Sequence, residues 1–399
     1  MSGSAAPLAG ITVIDLGQIY NAPYATLLMA FAGARVIKVE PRAGENLRAR
    51  GRVAGAGAPF VMLNSNKQAV TVNLKHPDGV ALLRRLADRA DVLVENFRPG
   101  VMARLGLTGS RLRESNPGLV FASGSGFGST GPYKDFPAMD LTIQAMSGVM
   151  SVTGFPDGPP VKSGPAIGDF LGGVHLYGAI VTALYQRERT GVGADVEVAM
   201  FDAVYPALTS SLGLLFGGAG ESPDRTGNRH SGLAESPYNV YQARDGGYVA
   251  LFCVTDGHWG GLLKAMGRAD LAGREDLASR VGRVARMDEV DEIVGAWARS
   301  RLRDELVSEL RAADVPCAPV RDISEVAADP HLLERGMLRP IEHPQFGPVT
   351  VPASPLRIGG HRPPVTPSPD LGQHNHEVFC GWLGLSEEEV RALEDGGVI

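Results

Sequence analysis

The chain has 399 residues, 44% hydrophobic and 21% charged, with a formal net charge of −6. Two domains are expected, because one hydrophobic core rarely fills that length. The acidic balance, without a run of Lys or Arg, excludes a nucleic-acid surface and a basic membrane patch.

The three cysteines, Cys253, Cys317 and Cys380, are far apart and form no CxxC pair. An odd, scattered set gives no disulfide framework and points to a reducing cytoplasm. The opening "MSGSAAPLAG" lacks the charged start and apolar core of a signal peptide. No stretch is expected to cross a membrane.

In chain order, "ITVIDL" (11–16) is a short apolar run rich in β-branched residues and predicts a strand. "NAPYATLLMAFAGA" (21–34) predicts a helix, with Asn21 as its cap and Pro23 in the first turn, where a missing N–H costs nothing. "RVIKVE" (35–40) completes a βαβ unit. The pattern recurs with "AVTVNL" (69–74), "HPDGVALLRRLADRA" (76–90), "DVLVEN" (91–96) and "GLVFASGS" (118–125). Strands that are apolar throughout predict a parallel sheet covered on both faces. A long helix is expected from Asp169 to about Arg187, then the strand "ADVEVAM" (194–200). The Gly- and Ser-rich stretch 216–235 reads as a linker. A smaller unit follows, with the strand "GYVALF" (247–252) and helices through 258–312. Past residue 326 come strand-like pieces broken by prolines, and a last helix from "SEEEVRAL".

Two stretches invite a functional reading. "GFGSTG" (126–131) matches GxGxxG after a strand, as in an NAD-dependent dehydrogenase. Such a loop must open into a helix that receives the pyrophosphate. Here Pro132 and Pro137 keep any helix from starting before Ala138. The other stretch is "SGPAIGDFLGG" (163–173), in which Asp169 is the lone charge. It reads as a helix N-cap, accepting the free N–H groups of the first turn. The second reading, from the same physics, is an ionised nucleophile, with Gly164, Ala166, Gly168, Gly172 and Gly173 leaving room for a large substrate.

Other candidates are thinner. His374 and His376 have metal-like spacing, but two ligands do not make a zinc site, so no metal is expected. His258 lacks the Glu of HExxH, and neither GxSxG nor GxxxxGK[ST] occurs. "GNRH" (227–230) puts Arg229 and His230 in a loop, where function often sits.

An ordered series of segments resembles the class III CoA-transferases, a family with a transferase branch and an α-methylacyl-CoA racemase branch. The series is "GARVIKVEP", "NKQAVTVNLK" (66–75), "VLVENFRPGVMARLGL" (92–107), "GFGSTGPY" (126–133), "GDF" (168–170), "RERTGVGADVEVAMFDA" (187–203), "GNRH" and "LGQHNHEVFCGWLGLSEEEV". The resemblance implies an α/β fold with a Rossmann-like large domain and parallel sheet from 1–215 and 326–399. A linker at 216–235 and a smaller inserted α+β domain at 236–325 complete it, in an interlocked homodimer.

The resemblance further implies that Asp169 is the nucleophile. It attacks a donor acyl-CoA to give an aspartyl anhydride, then carries CoA as an aspartyl thioester to an acceptor carboxylic acid. Coenzyme A is thus a substrate, with no tightly bound cofactor. The implied CoA contacts are Gln18, Ile19, Lys38, Leu74, Lys75, Asn96, Phe97 and Arg104. Lys38, Lys75 and Arg104 suit phosphates, and Phe97 suits the adenine. Gln18, Asp140 and His230 are implied neighbours of Asp169.

This chain departs from the family pattern in two places: it has only Gly232 in place of a Gly-rich lid, and Met139-Asp140 in place of the racemase His-Asp pair. The alternatives are a racemase of the same family, an NAD-dependent dehydrogenase and a non-catalytic CoA-binding protein. Arg48, Arg50, Arg52 and Arg229 hint at an anionic acid.

Overall fold

A computed structural model describes residues 6–50, 57–218 and 225–399, without the side chains of residues 49 and 50. It divides into two compact units. The first comprises residues up to Met146, Pro165–Pro206 and Asp329–Ile399; the second comprises Ser147–Gly164 and Ala207–Ala328. Residues 147–164, 207–215 and 326–328, expected with the large domain, thus fall in the second unit.

The first unit is built on six strands: β1 (Thr12–Asp15), β2 (Arg35–Glu40), β3 (Gln68–Thr71), β4 (Val92–Glu95), β5 (Val120–Ser125) and β6 (Asp195–Ala199). All pair in parallel, in the order β3-β2-β1-β4-β5-β6. Alternate strand residues point to opposite faces, and here both faces are apolar. Val13, Val36 and Val92 enter one core; Ile14, Ile37 and Leu93 enter the other.

Helix α1 (Asn21–Phe31) and the long helix α4 (Ile167–Thr190) cover the first of these cores, through Ala25, Met29, Leu176 and Ile180. Helix α2 (Pro77–Ala87) and the C-terminal helix α5 (Glu387–Asp395) cover the second, through Leu83, Leu86 and Val390. A short helix, α3 (Asp140–Met146), precedes α4 in the chain. The edge strand β3 is not left bare. Ala69 N–H donates to His374 Nδ1 and Thr71 N–H to Asn375 Oδ1, which blunts an otherwise open edge.

Three expectations change. Asn21 does not cap α1; Tyr20 holds that position without a side-chain cap. Helix α4 begins at Ile167, so Asp169 lies in its first turn rather than at its cap. By length and composition α4 is apolar enough to cross a membrane. It packs on the sheet instead, burying Leu176, Ile180, Ala183 and Leu184.

The GFGSTG segment opens into no helix: turns run through residues 126–139, and α3 begins only at Asp140. Past residue 326, Leu338–His343 and Gly347–Pro352 pair as an antiparallel hairpin. The second unit holds an antiparallel sheet of Tyr238–Gln242, Tyr248–Phe252 and Cys317–Pro319, with Trp259, Leu262 and Leu306 in its own core.

Candidate active site

The strand order reverses between β1 and β4, so the chain leaves their C-terminal ends in opposite directions. Parallel sheets open a crevice at that point. A cavity of about 1050 Å³ lies there, within the first unit. Gln18 and Ile19 reach it from the end of β1, Asn96 and Phe97 from β4, Gly124 to Gly126 from β5 and Met200 from β6; Met139 and Asp169 complete the wall.

The loops at the reversal are tied to each other. Gln18 N–H donates to Asn96 Oδ1 at 2.8 Å, and Asn96 Nδ2 donates to the Gln18 carbonyl at 2.9 Å. Ile19 has a φ of 65°, and its N–H donates to Glu45 Oε2 at 3.1 Å.

Lys38 explains part of this order, and in a different role from the one the resemblance implies. It is fully buried, and Nζ donates to the Gly17 carbonyl at 2.7 Å, with Glu45 at 3.6 Å. An ammonium enclosed this way supports the loop from behind and does not reach a phosphate.

Asn96, Phe97, Gln18, Ile19 and Asp169 therefore meet at one cavity. Leu74, Lys75 and Arg104 do not line it. Leu74 packs on the apolar core, and Lys75 and Arg104 are exposed. Arg98 does line it and, among the described residues, is the one cation on its wall. Its place between Phe97 and Pro99, just past β4, was the available signal, but a single arginine before a proline reads as ordinary surface.

Two of the arginines that hinted at an anionic acid are committed elsewhere. Arg48 makes a two-pronged pair with Glu40 and lies 3.9 Å over the Phe60 ring. Arg229, in the second unit, is held by Asp288 and Asp291. Arg52 and the Arg50 side chain lie outside the described residues. His230 also belongs to the second unit, where its Nδ1 accepts from Gly232 N–H and its ring meets Tyr238 edge-on.

Asp169 is 8% exposed. Among the described residues, no cation and no hydrogen-bond donor pairs with its carboxylate. The facing side chain is another acid. Asp140 Oδ1 accepts from Gly168 N–H at 2.7 Å and from Asp169 N–H at 3.4 Å. Asp140, from α3, thus performs the capping of α4 that Asp169 was a candidate for. Burial, then the Asp140 carboxylate, pushes Asp169 up to about 7. The expectation of a carboxylate held ionised by its helix end is corrected: near neutral pH it sits at its titration midpoint.

The small neighbours are also reassigned. A Cβ on Gly172 would come within 2.3 Å of Asn21 Nδ2, and one on Gly173 within 2.6 Å of the Asn21 carbonyl. These glycines let α1 and α4 approach closely. The contact lets Asn21 Nδ2 donate to the Asp169 carbonyl at 3.3 Å. Room for a substrate comes from the cavity that Asp169 and Asn21 both line.

Residues 8–375 match the model of the family described as CoA-transferase family III. The chain belongs to this family. It is 38% identical to a formyl-CoA:oxalate CoA-transferase of Streptomyces avermitilis, over 98% of this chain and 99% of that one. It is 37% identical to an acetyl-CoA:oxalate CoA-transferase of Acetobacter aceti, over 90% of each. The crystal structure of a CAIB/BAIF family protein from Brucella suis superposes with a TM-score of 0.83 at 33% identity, covering 95% of this chain and all of that one. The protein is a CoA-transferase, and the cavity that holds Asp169 is its candidate active site.

Proposed function

We propose that this CoA-transferase moves CoA from an acyl-CoA thioester to a dicarboxylic acid through covalent intermediates on Asp169. The observation that carries the reading is an unpaired, buried carboxylate on the wall of the cavity at the sheet's reversal point. The Asp169 oxygen attacks the thioester carbonyl; the C–S bond breaks and CoA leaves as thiolate. The thiolate then attacks the Asp169 carbonyl of the anhydride, releasing the donor as its carboxylate. The acceptor carboxylate attacks the resulting aspartyl thioester, CoA leaves again, and its return to the new anhydride frees Asp169. Each step exchanges one activated acyl bond for another, so no external energy source enters.

The protein's part is positional. Asp140 and Asn21 hold the backbone of residues 168 and 169, and the Gln18–Asn96 pair fixes the opposite wall. Arg98 is placed for the anionic groups of CoA or of the acceptor. Met139, on the same wall, carries no exchangeable proton, which speaks against racemase chemistry.

A dicarboxylate acceptor is supported by the relatives named for oxalate. The strand order supports a Rossmann-like reading of the first unit. Exposed Phe170, Val174 and Tyr185 on α4 support burial of that face in a homodimer. Three free cysteines suit a cytoplasmic location.

The test offers short acyl-CoA donors with mono- and dicarboxylic acids and reads the products by mass spectrometry. The expected product is the CoA thioester of a dicarboxylic acid. Thioester hydrolysis alone, or deuterium uptake at C2 of the donor without transfer, contradicts the reading.

A further inference from the structure

The cavity absorbs neither of the C-terminal histidines, and the structure separates their roles. His374 is spent on the sheet edge: its N–H donates to the Ala69 carbonyl, and its Nδ1 accepts from Ala69 N–H. His376 is exposed. It begins a turn of π-helix (Glu377–Trp382), four residues before Cys380. The chain then turns at Gly384, and Ser386 caps α5, which places Glu387 in the first turn of that helix. Glu387 thereby comes back over the π-helical turn. His376 Nε2 contacts Glu387 Oε1, and one donor atom each of His376, Cys380 and Glu387 lies within 4.8 Å of the other two.

We propose that His376, Cys380 and Glu387 form a binding site for a Zn²⁺-class divalent cation. Imidazole nitrogen, thiolate sulfur and carboxylate oxygen are the ligand types zinc takes, and a tetrahedral ion sets its ligand atoms roughly 3.5 Å apart. Cys380 closes by at most about an ångström, and the His376–Glu387 contact opens to admit the ion. His376 and Glu387 are exposed and Cys380 half-buried, so the side chains are free to make it. One bound Zn²⁺ displaces the Cys380 thiol proton, together with any proton held between His376 and Glu387. The ligand charges then balance the ion, and water takes the fourth position.

The effect of the ion is structural. It staples the π-helical turn to α5, beside the residues that tie down β3, and it leaves the candidate active site untouched.

The test uses the full-length protein, stripped with a chelator and titrated with Co²⁺ and then Zn²⁺. The expected result is one equivalent of Co²⁺ giving a thiolate-to-cobalt charge-transfer band, bleached by Zn²⁺ and lost in Cys380→Ala. Zn²⁺ binding should weaken by more than about tenfold in His376→Ala and in Glu387→Gln. Zn²⁺ should raise the melting temperature of the wild type and not of Cys380→Ala, and CoA transfer by the variants should stay at the wild-type rate. Absence of the band, its survival in Cys380→Ala, or unchanged Zn²⁺ affinity in both His376→Ala and Glu387→Gln overturns the proposal and leaves a plain His376–Glu387 ion pair.

Discussion

Asp15 and Asp169 are both buried carboxylates of the first unit, and the protein treats them in opposite ways. Asp15 is enclosed by donors: Lys67 Nζ at 2.9 Å, Thr26 Oγ1 at 2.7 Å and Gly17 N–H at 2.8 Å. Burial pushes it up, but Lys67, Lys38 and the Thr26 hydroxyl together outweigh burial and leave it below its usual range. Lys67 in turn also donates to the Pro23 carbonyl and Asn64 Oδ1, so the ion pair has no idle donor. Among the described residues Asp169 has neither a cation nor a donor, and its facing group is Asp140. Its pKa moves the other way, to about 7. A buried charge with a full set of partners is structural. One placed against a like charge is a stability cost, which supports the proposed chemistry at Asp169.

The comparison predicts stability effects of opposite sign. Lys67→Met should lose about 3–5 kcal/mol, because it leaves Asp15 buried and unpaired. Chemical denaturation measures this, and a variant as stable as wild type would break the contrast on its structural side.

Asp169→Asn should instead be more stable than wild type above neutral pH. The folded protein holds the Asp169 proton more tightly than the unfolded chain does. The stability that this proton confers is therefore full below about pH 4 and lost as pH rises through about 7. The melting-temperature gap between Asp169→Asn and wild type should widen across that window and then stay constant. A gap that narrows with rising pH contradicts the assignment.

A smaller effect separates the two causes at Asp169. Asp140→Asn keeps an oxygen for the Gly168 N–H and removes the like charge. The pH profile of kcat/KM for the acyl-CoA donor should rise through about 7 in the wild type. In Asp140→Asn its midpoint should fall by a fraction of a unit, since burial is the larger cause. An unmoved or raised midpoint would mean that Asp140 acts on Asp169 only through the backbone.

The strands were legible because their residues are apolar on both faces, and Asp169 because it is the only charge in its stretch. What the sequence hid was non-local. Lys38 sits in a strand where a lysine suggests an outward charge, and only the fold supplies Gly17 and Glu45 to enclose it. Gly172 and Gly173 look like space for a substrate until Asn21, on the distant α1, fills it. Asp169 at a helix end suggested an ionised group; the opposing carboxylate comes from α3, and its capping role is invisible until the two helices are side by side. Arg48 hinted at an anionic substrate, but Glu40 already takes its guanidinium.

The central claim is that the unpaired Asp169 carboxylate is the atom group that becomes acylated. The most direct measurement incubates wild-type protein with an acyl-CoA donor, quenches with hydroxylamine and maps the hydroxamate by peptide mass spectrometry, with Asp169→Asn in parallel. The account predicts a hydroxamate at Asp169 in the wild type, and a variant that still binds CoA while turnover falls by at least about a thousandfold. A label on another residue, or an Asp169→Asn variant that turns over at the wild-type rate, would contradict it.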